Sequence, residues 1–183
     1  LAWLAATATS LLAFAVSVAL VNIVNDSGAM SYPVGGWAAP YGIELRVDSL
    51  SAMMLLIVSG ASSLALLASY RSLTTEIGED RLGLFLSAWM LVLAGLSGIL
   101  VAADAFNIFV FMEIASLASY VLVSGGADRR ALPTVFKYLV MGTLGATFYL
   151  IGVGLIYIMT GTLNLADMAV RIQDVQDPIL FFA

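Results

Sequence analysis

Residues 104–126 read DAFNIFVFMEIASLASYVLVSGG, an apolar run of membrane length whose interior holds one carboxylate, Glu113. Nine or so residues separate Glu113 from either end. At 1.5 Å of rise each, that puts it roughly 13 Å from both faces of a hydrocarbon core about 30 Å thick. A charge at that depth costs on the order of 3 kcal/mol or more to insert, so the side chain should face other helices or a wet cavity and have a partner. Lys137, in the next hydrophobic segment, is the other charged residue inside an apolar run. The expectation is that the two form part of a proton path.

Composition extends this reading to the whole chain. Of 183 residues, 62% are hydrophobic and 10% charged, mean hydropathy is +1.04, and the apolar residues fall in runs near 20 long. The pattern predicts an all-α polytopic transmembrane helical bundle. A β-barrel would need ten-residue segments of alternating polarity, which the chain lacks. The net charge of −5 sits mostly in short connections, where solvated surface or a cationic partner accounts for it. Nucleic acid is excluded as a partner. With no cysteine and no histidine, disulfides, thiolate sites and the usual zinc and haem ligand sets are absent, so neither a metal nor a cofactor is expected.

Spans are expected at about 1–24, 50–70, 82–102, 105–124 and 132–160, with a sixth starting at 178, all in one transmembrane domain over 1–183. The chain starts at Leu1 without a methionine and ends in an apolar run, so it is expected to be a fragment. Its first stretch has no basic leader region and reads as a spanning helix, not a signal peptide. Residues 30–47 carry Pro33, Gly35, Gly36, Pro40 and Gly42 and cannot be helical; Tyr32, Trp37 and Tyr41 there suit a membrane-interface belt, or else a ligand loop. Asp48 is expected to cap the second span, and residues 71–81 to form a short loop of mixed charge. Gly95 and Gly98 should let another helix approach closely. Asp104 reads as the N-cap of the fourth span, with proton access as the alternative role. Asp128, Arg129 and Arg130 make a small basic loop, and Pro133 suits the first turn of the fifth span. Gly142, Gly145 and Gly152 suggest a second groove. Within 162–177, LADMAVRIQDV can form a short amphipathic helix. Arg71, Arg81, Arg129 and Arg130 on one side, against Arg46 and Arg171 on the other, predict that loops 71–81 and 125–131 are cytoplasmic.

The fourth and fifth spans are joined by a short loop and should be antiparallel neighbours. Counted from that loop, Glu113 and Lys137 differ in depth by roughly 9 Å, which a lysine stem and one water can cover. Ser116 and Tyr120, at i+3 and i+7 from Glu113, put hydroxyls on the same face as possible relays. Each of these residues also has a plainer reading: a buried ion pair that fixes packing, a lysine that snorkels to the headgroups, hydroxyls bonded to backbone carbonyls.

The stretches YPVGGWAAPYGIELRVDSLSA (32–52), AGLSGILVAADAFNIFVFMEIASLASYVLV (94–123) and RRALPTVFKYLVMGTLGATFYLIGVGLIYIMTGTLNLADM (129–168) carry a resemblance. They resemble the antiporter-like membrane subunits shared by Mrp-type cation/proton antiporters, respiratory complex I and membrane-bound hydrogenases, most strongly the Mrp D subunit. The resemblance implies a bundle of about fourteen spans in two inverted repeats, of which this chain covers part of the first. In it Glu113 matches the key glutamate and Lys137 the lysine of the following helix, with further lysines beyond Ala183. It implies a proton-translocating subunit, a transporter and not an enzyme in itself. Its surroundings would be other membrane subunits, protons, Na+ and the lipid bilayer of a prokaryotic inner membrane. Alternatives are a redox-driven pump subunit of an NADH:quinone oxidoreductase or hydrogenase, a non-conducting structural subunit, and a redox subunit with its own quinone or metal site.

Overall fold

The computed structural model describes residues 1–125 and 131–175. The expected basic loop at Arg129 and Arg130 and the sixth span from Pro178 lie outside the described residues. Among those described, five helices are long and apolar enough to cross a membrane: α1 (Ala2–Ser27), α2 (Ser49–Ala68), α4 (Glu79–Val101), α5 (Ala105–Ser124) and α6 (Ala131–Thr160). Two short helices accompany them, α3 (Tyr70–Glu76) between α2 and α4 and α7 (Leu165–Arg171) after α6. Residues 71–81, expected to be a loop, are thus mostly helical. Their Thr74 and Thr75 hydroxyls return to backbone carbonyls one turn back, so the segment satisfies its polar groups locally.

The connection between α1 and α2 also differs from an irregular loop. Strands β1 (Met30–Pro33) and β2 (Glu44–Val47) pair antiparallel, Met30 opposite Val47 and Pro33 opposite Glu44. Between them come a 3-10 turn at Val34–Gly36 and a cis Ala39–Pro40 bond. Prolines and glycines rule out helix here, but a hairpin tolerates them at a strand end and in its loop. Tyr32, Trp37 and Tyr41 stand exposed on it.

Helix starts follow capping chemistry. Asp48 accepts from the Ser51 N–H at 2.8 Å and Asp104 from the Asn107 N–H at 3.0 Å, each satisfying an orphan donor of a first turn. Asn164 does the same for α7, taking the Ala166 and Asp167 N–H groups at 3.1 Å. At the end of α6, Gly161 turns the chain away with φ 69, a conformation that costs a side-chain-bearing residue and not glycine.

Packing runs as a strip. α1, α2 and α4 form a three-helix cluster, α5 lies on α4, and α6 lies on α5. Hydroxyls join α1 to α2: Ser10 meets Ser62 and Ser63 at 3.0 Å, Ser59 donates to Ser17 at 3.2 Å, and Trp89 Nε1 of α4 donates to Ser62 at 2.9 Å. In hydrocarbon such bonds hold helices together where apolar burial alone gives no preference. Gly95 and Gly98 carry the α4–α5 contact as expected. A Cβ on Gly95 would fall 2.8 Å from the Ala115 nitrogen, and one on Gly98 would collide with the Phe111 ring. The second expected groove is narrower than the spacing suggests. Gly142 lies against the Tyr120 hydroxyl, but Gly145 faces open space because no described helix covers that side of α6.

Because the long helices alternate in direction, the hairpin, the α4–α5 turn and α7 gather at one end of the bundle and α3 at the other.

Candidate functional site

Glu113 is half-buried near the middle of α5. Phe109, Ser116 and Tyr120 share its stripe at i−4, i+3 and i+7, and α6 meets that stripe. Phe109 stacks on Tyr149 with centroids 6.4 Å apart, and Tyr120 meets Tyr138 edge-on at 5.4 Å. Glu113 therefore faces the α5–α6 interface. Ser116 lies beside the Tyr120 hydroxyl, so the two expected relay residues are adjacent.

Lys137 is exposed on α6, in a groove of about 480 Å³ with Ser119, Val123, Thr134, Tyr138 and Met141. The contacts of Tyr120 with Tyr138 and Gly142, and of Phe109 with Tyr149, fix the register of the two helices. In that register Lys137 lies level with residue 122, nine residues of rise from Glu113, or about 13 Å. That exceeds the sequence-based separation by one turn, because the 30-residue α6 starts beyond the end of α5. The only ion pair among the described residues is Arg171 with Asp167 at 2.9 Å. Glu113 and Lys137 are thus not in contact, and Tyr120 occupies the level between them.

A second polar cluster escapes sequence reading. Glu44, on β2, accepts from the Ser31 hydroxyl at 2.5 Å and from the Asn164 amide at 2.7 Å. Its backbone carbonyl accepts from the Ala103 N–H, and the Ala103 carbonyl accepts from the Leu165 N–H at 2.9 Å. Three chain connections are tied together through these groups. The Ser31 hydroxyl, opposed by partial burial and aided by Asn164 and Arg46, holds the Glu44 carboxyl below its ordinary range. The signal for Asn164 is present: in NLAD, Asn164 caps α7 and Asp167 stands three residues on, in the manner of a capping box. Nothing local marks Glu44, whose partners lie far away in the chain.

The sign of the Glu44 shift gives a testable pH dependence. A depressed folded pKa contributes stability above the unfolded value of 4.5 that is lost as pH falls through the folded value. Exchange protection of the Ala103 and Leu165 N–H groups is expected to fall as pH drops below 4.5. In Glu44→Gln it should be lower at neutral pH and flat across the same range. Equal acid sensitivity in the variant would show that another group controls this end of the bundle.

Five apolar spans, two of them enclosing a half-buried carboxylate, define a multi-pass helical membrane protein. Residues 102–181 match the family described as NADH:quinone oxidoreductase/Mrp antiporter, transmembrane, and the chain is a homologue of those antiporter-like subunits. It is 38% identical over 91% of its length to the N subunit of NADH-quinone oxidoreductase from Desulforudis audaxviator. It is 37% identical over 92% of its length to the D subunit of the Na(+)/H(+) antiporter from Bacillus subtilis. These alignments take in 33% and 34% of the relatives, so the chain spans about a third of the length of the curated relatives it matches. Among solved structures it superimposes on a chain of the membrane-bound sulfane sulfur reductase, an archaeal respiratory membrane complex. The TM-score is 0.90 at 30% identity, over 97% of this chain and 36% of that one.

Proposed function

We propose that this chain is part of a proton-translocating subunit of a multisubunit cation/proton antiporter, similar to the Mrp D subunit, in a prokaryotic cell membrane. The observation that carries this reading is the stripe Glu113, Ser116, Tyr120, set at mid-membrane depth against α6 and leading toward Lys137. Glu113 takes up and releases the proton, and the Ser116 and Tyr120 hydroxyls order water between it and Lys137. Lys137, in its groove, exchanges protons with the end of the bundle that carries α3, and the basic residues Arg71 and Arg81 there support a cytoplasmic side for it. Phe136, Met141, Phe148 and Ile158 stand exposed on α6, an apolar surface open to lipid, to other parts of the subunit and to partner membrane subunits. Na+ is the exchanged cation by analogy with the Bacillus subtilis relative.

A second reading is favoured by the Desulforudis audaxviator relative and the reductase structure: the same path driven by electron transfer in an attached arm. Inverted membrane vesicles containing the full-length protein and its partners separate the two. Addition of Na+ should discharge an imposed pH gradient without an electron donor. A gradient that responds only to electron donor, whatever the cation, establishes the redox-driven reading instead. In the same vesicles Lys137→Ala is expected to slow proton movement about tenfold, because water in the open groove replaces the amine poorly as a proton donor. An unchanged rate would remove Lys137 from the path.

A further inference from the structure

The end of the bundle where the three connections meet holds a cavity of about 420 Å³, walled by the β-hairpin loop, the start of α5 and the end of α6. Asp104 lines it and is only 8% exposed. Among the described residues the one hydrogen bond to this carboxylate comes from the Asn107 N–H to Oδ1. That leaves Oδ2 for the cavity. Asn107 lines the same space, and its buried amide nitrogen has no partner among the described residues. Tyr157 brings a neutral hydroxyl to the wall, while Thr162 lines it with a hydroxyl already accepting from the Asn164 N–H.

Among the described residues no cationic side chain compensates Asp104. Arg171, at the end of α7, is taken by Asp167 at 2.9 Å and by the Thr160 carbonyl at 3.2 Å. Arg46 stands beside Glu44, which the Ser31 and Asn164 bonds already hold. The Tyr149 hydroxyl donates to the Ala105 carbonyl at 3.0 Å. The first turn of α5 favours the Asp104 charge but does not neutralise it, and with no cationic side chain beside it among the described residues one carboxylate oxygen is left for a counter-ion.

From this cavity, its single carboxylate and its unpartnered amide, we infer a binding vestibule for a hydrated monovalent inorganic cation, with Asp104 as the anionic ligand. One negative charge among neutral oxygens matches one positive charge. No group of three carboxylates or imidazoles among the described residues offers a divalent or transition metal a ligand set. The volume holds roughly ten or more waters at about 30 Å³ each, so the ion enters with much of its hydration shell and is held weakly and reversibly. Its use in transport rests on the proposed function; its existence does not.

Asparagine caps a helix as well as aspartate does, so Asp104→Asn keeps the start of α5 and removes only the charge. Sodium NMR on the full-length protein in detergent reads binding directly. Wild type and Glu113→Gln are expected to broaden the sodium line, with K+ competing and choline not, and Asp104→Asn to leave it sharp. In vesicles Asp104→Asn should raise the half-saturating Na+ concentration about tenfold while the maximal rate persists. Broadening that survives Asp104→Asn overturns the vestibule, as does broadening lost in Glu113→Gln with Asp104 intact, which would put the ion at the intramembrane carboxylate. Broadening that depends on Asp104 in a protein that moves no protons leaves the vestibule standing and removes the transport reading.

Discussion

Glu113→Gln in the full-length protein is expected to cut cation-dependent proton movement in membrane vesicles to less than about one-hundredth while the complex still assembles. Losing a positioned proton-transfer group costs about two to four orders of magnitude in rate. Glutamine keeps the volume and polarity of the side chain and loses only the exchangeable proton. The structure adds why assembly should survive. Glu113 has no ion-pair partner among the described residues, so neutralising it strands no buried opposite charge. It is half-buried on a face whose packing rests on Phe109 and Tyr120. The structural-subunit reading predicts the reverse, with impaired assembly and normal transport in whatever complex remains. Gel filtration of the solubilised complex beside the vesicle assay decides between them.

Gly95→Ala is expected to destabilise the bundle by about 1–3 kcal/mol, and Gly95→Leu to prevent its folding, because the new atom meets backbone. A Cβ there falls 2.8 Å from the Ala115 nitrogen and 2.9 Å from the Phe111 carbonyl oxygen. Neither can move without separating α4 from α5. Gly83→Ala is the matched control: it is on the same helix, with nothing within 4 Å of the added methyl, and should gain up to about 1 kcal/mol of helix propensity. Thermal unfolding of both variants in detergent, followed by circular dichroism, tests the pair. A Gly95→Ala protein as stable as wild type would mean that the two helices do not pack as described. Since the helix carrying Glu113 is seated on α4 by this contact, transport should fall with stability.

Particular residues show where reading the sequence succeeds. Asp48 and Asp104 are caps because the chemistry of a first turn is local, and each carboxylate accepts from the N–H three residues on. The α5 boundaries match because a membrane-length apolar run between turn residues has few alternatives. Gly95 and Gly98 read correctly since a glycine pair on a spanning helix has little use other than close approach. Gly145 misleads, because spacing shows which residues share a face and not whether anything lies against it. The hairpin at 30–47 escapes sequence reading for a related reason. Its strands pair across a loop rich in glycine and proline, and neither strand alone is long enough to declare itself.

The same division runs through the candidate sites. Glu113 is legible because a carboxylate in hydrocarbon is expensive wherever the chain folds, and its cost is set by the run of residues around it. The relation of Glu113 to Lys137 is not, since the depth of one helix against another depends on which side chains interdigitate. One turn of α6 beyond α5 turns an expected bridge of one water into a longer gap, with Tyr120 standing in it near the Lys137 end. Glu44, Asn107 and Asn164 acquire their meaning only when three connections distant in the chain close on one another. By itself, then, the sequence determined that this chain crosses the membrane several times and carries an ionisable group in the middle of a membrane-length apolar run, because hydropathy and burial cost follow from local composition. Only the tertiary structure decided the register of α5 on α6, the bonding of Glu44 to Asn164 and the cavity at Asp104, because contacts between distant segments are settled by packing, which no single segment encodes.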